Sequence, residues 1–236
     1  MKSFSLAKAP SAQNAVVLIG QTTSETLANI VELAGGGSPP SYETSRVLAP
    51  TLMEKNDLQW CLRQCSGITW DLQRQINEEL LATLSGYRSL INPRWYRRPA
   101  KTHYEGHGVS IALQPMGVWS DGDTLFVDWL QPWKYKEMSR RHRDILFTLL
   151  KHRFLIGDYF EARFRFVNLM ATPETRERAV WIEQHESFTE LSDEELGSEL
   201  IKLAEALNEF SELPKEPRKP RSKPDDKRRE LPFGTD

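Results

Sequence analysis

Cysteine is scarce: Cys61 and Cys65 are the only two in 236 residues. A disulfide-stapled scaffold needs more, and a four-residue spacing on one helix suits a bridge badly. Long apolar runs are lacking too. The longest, Ala15–Ile19, is far short of the roughly 20 residues that cross a bilayer, and too short for the apolar stretch of a secretory leader. No targeting segment is visible, so the expected location is the cytoplasm and no membrane partner is expected. Net charge is nearly absent at −2, which excludes a polycation drawn as a whole to nucleic acid or membrane. Glycine-built motifs are missing as well. There is no phosphate-cradling loop, no dinucleotide fingerprint and no Gly-x-Ser-x-Gly elbow, and His-Glu-x-x-His does not occur. The local warrants for naming a reaction go with them.

What is present suffices for one core. Seven Trp, ten Phe and six Tyr sit in a chain that is 39% apolar and 27% charged, and the polar excess gathers in the terminal segments. Residues 1–50 read as an N-terminal appendage ending in the linker Gly35-Gly-Gly-Ser-Pro-Pro40, residues 51–212 as an α+β core, and residues 213–236 as a disordered charged tail. The expected fold is a small antiparallel or mixed sheet flanked by helices, closed by an amphipathic C-terminal helix.

Within the appendage, Ala15–Ile19 reads as a short strand, and Ser24 as the cap of a helix carrying Leu27, Ile30, Val31 and Ala34. The core opens near Leu52 with a helix to Cys65, followed by one over 69–90 with Leu72, Ile76, Leu80, Leu84 and Tyr87 at helical spacing. Strands are expected over 109–118 and 124–130, joined by the turn Ser120-Asp-Gly-Asp123. Ser139 caps a helix to Phe154. Residues 162–170 alternate Phe164 and Phe166 with Arg163 and Arg165, the period of a strand with one wet face, and 178–183 would pair with it. Ser192 and Glu195 form a capping box ahead of Leu196, Leu200, Leu203, Leu207 and Phe210.

Charge is unevenly distributed. Residues 134–166 hold nine Lys/Arg against four Asp/Glu, residues 93–103 hold four and no acid, and residues 174–212 hold three against twelve. The loop from Pro93 to Pro99 interleaves Arg94, Arg97 and Arg98 with Trp95 and Tyr96, pairing phosphate-matching guanidiniums with rings that stack on unpaired bases. Arg140, Arg141 and Arg143 open a helix, where cations are locally unfavourable. They either serve an anion or pair with the acidic closing segment. Cys61, Cys65, His103 and His107 have spacings that zinc tolerates, although the two halves lie far apart in sequence. The bland reading is two helix cysteines and two loop histidines.

The stretch Asp121–Lys134, DGDTLFVDWLQPWK, resembles the motif strand of RecB-like nucleases of the PD-(D/E)XK fold, in which an Asp-Gly-rich turn leads into an apolar strand ending in Asp-Tyr-Lys. The resemblance implies a magnesium-dependent phosphodiesterase centre with Asp128 as the motif acid, Glu78 or Glu79 from the preceding helix, and Lys134 or Lys136 as a displaced lysine. The departures are Leu130 where the lysine belongs, and Ala112 and Gln114 where the preceding strand carries an acid. They point to a degenerate form without catalysis.

Three functions follow in order. The first is a non-catalytic nucleic-acid-associated protein holding phosphates with Arg94, Arg97, Arg98, Arg140, Arg141 and Arg143 beside Trp95 and Tyr96, with no cofactor. The second is an interaction subunit using the acidic helix from Ser192 to Phe210 and the tail. The third is a divergent metal-dependent nuclease, the one case in which magnesium enters.

Overall fold

Tight turns and one helical crossover set the order in which the strands meet. The computed structural model describes residues 11–35, 41–91, 93, 95–172 and 174–214. Along the chain come α1 (Ala12–Val16), α2 (Thr23–Gly35), α3 (Glu43–Lys55), α4 (Leu58–Cys65), α5 (Asp71–Ile91), β1 (Trp95–Arg97), β2 (Thr102–Gly106), β3 (Val109–Leu113), β4 (Gly117–Asp121), β5 (Thr124–Gln131), α6 (Arg140–Arg153), β6 (Arg163–Asn168), β7 (Trp181–Gln184) and α7 (Asp193–Glu212). The chain is α+β. A mixed sheet runs β1-β4-β5-β6-β7, and β2 and β3 form a separate two-stranded sheet.

Gly122, at φ 59°, takes the first position of the β4–β5 loop, where only a residue without a Cβ bends the chain cheaply. β5 and β6 lie parallel, with Asp128 beside Arg165, and α6 supplies the crossover that parallel neighbours require. Every other pair in the sheet is antiparallel. The strand expected over 109–118 is two strands. Gln114 and Pro115 interrupt it, so Ala112 belongs to the small sheet and Gly117 is the residue opposite Asp128. Gly117 is needed there, because a Cβ would overlap the Tyr96 ring.

Two apolar layers cover the sheet. On one face Val118, Val127, Trp129, Phe164 and Phe166 pack with α6, α7 and residues of α1 and α2. On the other Trp119, Val167 and Leu169 pack with Tyr96 and with α3, α4 and α5. Residues 12–30, expected as an appendage, place Ala12, Ala15, Val16, Leu18, Ile19 and Ile30 in the first layer. The strand expected at Ala15–Ile19 is instead the helix α1 and its following turn, because the buried positions Ala12, Ala15 and Val16 recur at helical rather than alternating spacing.

α7 carries the predicted capping box, with Ser192 and Glu195 each bonded to the other's backbone N–H. Its apolar stripe, Leu196, Leu200, Leu203 and Ala206, is spent inside the chain, where α7 packs on α2 and β3. Among the described residues no helix is long and apolar enough to cross a membrane. Of the tail assigned to 213–236, residues 215–236 lie outside the described residues.

Candidate nucleic-acid interface

Asp128 has no exposed surface, and its parallel neighbour sets its partner. Arg165 Nε and Nη2 each donate to Asp128 Oδ1 at 3.0 Å. The Tyr87 hydroxyl donates to Oδ2 at 2.5 Å and Trp119 Nε1 donates to the same oxygen at 2.9 Å, while the Tyr87 oxygen accepts from Arg165. The guanidinium lies 4.3 Å from the Trp119 centroid and 4.9 Å from that of Phe126, two rings that stack on each other. Burial, followed by the Asp128 charge, pushes the Tyr87 hydroxyl well above its ordinary value, so it stays a donor. The wet face expected for Arg165 is therefore a correction. It is 5% exposed, and the acid across the strand pair is what permits an arginine there.

This arrangement does not fit a divalent cation. Magnesium binds open carboxylate oxygens and keeps several waters, whereas both oxygens of Asp128 already carry donors and the cation beside them is a guanidinium. Leu130 faces α3–α5 rather than supplying an ammonium. Lys134 donates to Glu79 Oε2 at 2.8 Å. Burial alone would raise the Glu79 carboxyl, but the Lys134 hydrogen bond and charge outweigh it and hold the group below its ordinary value. Glu78, on the same helix, is half-buried; its charge is one of the causes raising Cys65.

Nor do the zinc candidates converge. Cys61 and Cys65 are free, fully buried and packed among α3–α5. Their thiols are raised first by that burial. His103 is exposed on β2, and His107 sits in the β2–β3 turn against Gly197 of α7. Among the described residues no three of His, Cys, Asp and Glu cluster closely enough to hold a metal ion.

The two basic stretches have different fates. At the start of α6, Arg140 pairs with Asp144 at 3.1 Å. Arg141 pairs with the buried Glu199 of α7. Arg143 Nη1 donates to the Met138 carbonyl at 2.6 Å, and its guanidinium reaches Glu183 at 3.3 Å and Glu137 at 3.4 Å. The cations that break the helix-terminus rule are thus compensated, two of them by the acidic closing segment. Ser139 caps this helix as expected, accepting from the His142 N–H.

The stretch from Trp95 onward is open. Alternation on edge strand β1 buries Tyr96, whose hydroxyl donates to the Met116 carbonyl at 3.0 Å, and turns Trp95 and Arg97 outward. Tyr96 is therefore unavailable for stacking, while Trp95 is 44% exposed. Arg97, Arg98 and Lys101 are exposed and make no ion pair among the described residues; Arg94 lies outside them. Arg98 and Lys101 lead into a cleft of about 460 Å³ at the carboxyl end of β5, which Arg46 of α3 also lines. None of Arg140, Arg141 and Arg143 lines it.

Sequence reasoning missed Arg46, Gln13 and Trp129 in this cleft. Arg46 looks like any cation on a polar helix face. Gln13 and Trp129 come to one cleft once α1 packs on α6 and β3, which no local pattern announces.

No family model matches the sequence, and no curated protein matches it. Among solved structures, a chain from Eubacterium rectale described as a "putative exonuclease" aligns over 89% of this chain and 84% of its own, at 11% identity and a TM-score of 0.42. A likeness that distant carries no function across.

Proposed function

We propose that this protein holds the phosphate backbone of a nucleic acid on the surface formed by Trp95, Arg97, Arg98 and Lys101, continued by Arg46 along the cleft, and that it does not cleave the strand. One observation carries the reading. Arg97, Arg98 and Lys101 are exposed and without ion pairs among the described residues, whereas Arg140, Arg141 and Arg143 are all matched by carboxylates. Unmatched guanidiniums beside an exposed indole suit phosphates and unpaired bases together. The non-catalytic half of the reading is supported by Asp128, whose carboxylate is committed to Arg165, Tyr87 and Trp119.

The test is binding of a labelled single-stranded oligonucleotide at low salt, with the same strand followed for cleavage in magnesium and in manganese. Binding that weakens steeply with salt, as counterion release requires, with the strand intact in both metals, agrees with the proposal. Absence of binding, or metal-dependent cleavage abolished by Asp128→Asn, contradicts it.

A further inference from the structure

Among the described residues, two side-chain hydrogen-bond donors on residues that line the cleft have no partner. Gln13 of α1 is 9% exposed and Trp129 of β5 is 5% exposed. Both line the cleft, and neither Gln13 Nε2 nor Trp129 Nε1 meets an acceptor among the described residues. A buried donor left unpaired costs free energy that folded chains accept at few positions, each of which calls for an explanation. Here two occur in one cavity, brought from elements that are far apart in sequence.

The rest of the lining narrows what would bond them. Arg46, Arg98 and Lys101 face one carboxylate, Glu43, a lining charge of +2. Indole N–H, guanidinium and ammonium groups only donate, so the complement is rich in acceptors and doubly negative. A phosphate monoester, at about −1.5 to −2 near neutral pH, meets both demands. A carboxylate brings one charge and two oxygens. Tyr42 and Trp133 supply half-buried aromatic wall, and the wall is held in place, because Arg178 donates to the Tyr42 hydroxyl at 3.2 Å and to the Pro132 and Leu169 carbonyls at 2.8 and 2.7 Å. About 460 Å³ is the size of a small-ligand pocket.

We propose that this cleft is a phosphate-monoester site, in which Trp129 Nε1 and Gln13 Nε2 bond the phosphoryl oxygens, Arg46, Arg98 and Lys101 neutralise them, and Tyr42 and Trp133 flank the organic group. The inference goes beyond backbone binding and shares with it only Arg46, Arg98 and Lys101. The ester is either a free nucleotide or the phosphorylated end of a strand; the recognising chemistry is the same.

The test is calorimetric titration of the full chain with adenosine monophosphate and, separately, with adenosine. The expected result is one site per chain for the monophosphate, with adenosine at least tenfold weaker. Trp129→Phe, which keeps the ring and removes the donor, and Gln13→Met, which keeps the length, each weaken the monophosphate by roughly tenfold. An oligonucleotide bearing a 5′-phosphate that binds more tightly than its 5′-hydroxyl twin identifies strand ends as the source; equal binding identifies the free ester. Adenosine binding as well as its monophosphate, no monophosphate binding, or two variants that bind it like the wild type overturns the inference. The readings separate cleanly: a protein that binds oligonucleotides but not the monophosphate loses this site alone, and one that binds the monophosphate but no oligonucleotide loses backbone binding alone.

Discussion

Arg165 grips Asp128 across the parallel strand pair, with Nε and Nη2 each 3.0 Å from Oδ1, and both side chains are buried. The pair closes the position that a metal-dependent centre would need open. Breaking a buried pair strands a charge, at a cost of about 3–5 kcal/mol. Arg165→Met is expected to lose that much stability in urea denaturation. Asp128→Leu combined with Arg165→Met loses less than the two single changes summed, since the pair leaves together. A single Arg165→Met variant within about 1 kcal/mol of wild type would show that the network contributes little.

The thiols make a second prediction. Cys61 and Cys65 have no exposed surface, and burial raises both pKa values. A thiol reagent at pH 8 is expected to leave the native protein unmodified and to titrate two thiols after denaturation. Purified protein is expected to carry no stoichiometric zinc. Rapid labelling under native conditions, or zinc at one per chain, contradicts the packing described for α4.

Acid stability follows from a histidine. The Phe164 N–H donates to His185 Nδ1 at 3.1 Å, so that nitrogen must be unprotonated. Burial, the first cause, lowers the His185 pKa below 6.5, with Lys151 and Arg163 adding to it against Glu186 and Glu190. A folded pKa below the unfolded one gives stability that is present above about 6.5 and is lost as pH falls through the folded value. Burial lowers His142 as well. Melting temperature is expected to hold from pH 8 to 7 and to fall between pH 6 and 5, with a shallower fall in His185→Asn. A flat profile across that range would rule out the neutral His185.

How much of this was legible beforehand differs by element. Capping and period announce α6 and α7, since Ser139 and Ser192 accept from their own helices and Leu196, Leu200 and Leu203 mark a buried stripe. The same period holds for α5, although its buried face turns toward Leu81 and Tyr87 and leaves Leu72 at 48% exposure. Edge strand β1 was hidden because three residues are too few to show alternation. Arg165 misled for a different reason. Alternation says which face a side chain takes, while its burial depends on Asp128 being the parallel neighbour, a pairing made only once α6 crosses over. The open cations at Arg97, Arg98 and Lys101 were legible as a basic stretch. Their difference from Arg140, Arg141 and Arg143 was not, because Glu199 and Glu183 become partners only in the folded chain.

That difference is what the functional reading depends on, and a salt titration of single-strand binding in two charge-removal variants tests it most directly. Removing Arg97, Arg98 and Lys101 together, each to Ala, is expected to weaken binding at least tenfold at low salt and to lower the slope of log K against log salt by about 2, at roughly 0.7 per phosphate contact. Changing Arg140 and Arg141 to Ala is expected to lower the melting temperature and leave affinity and slope unchanged. Binding that survives the triple change, or that is lost with Arg140 and Arg141 in a protein still folded, contradicts the account.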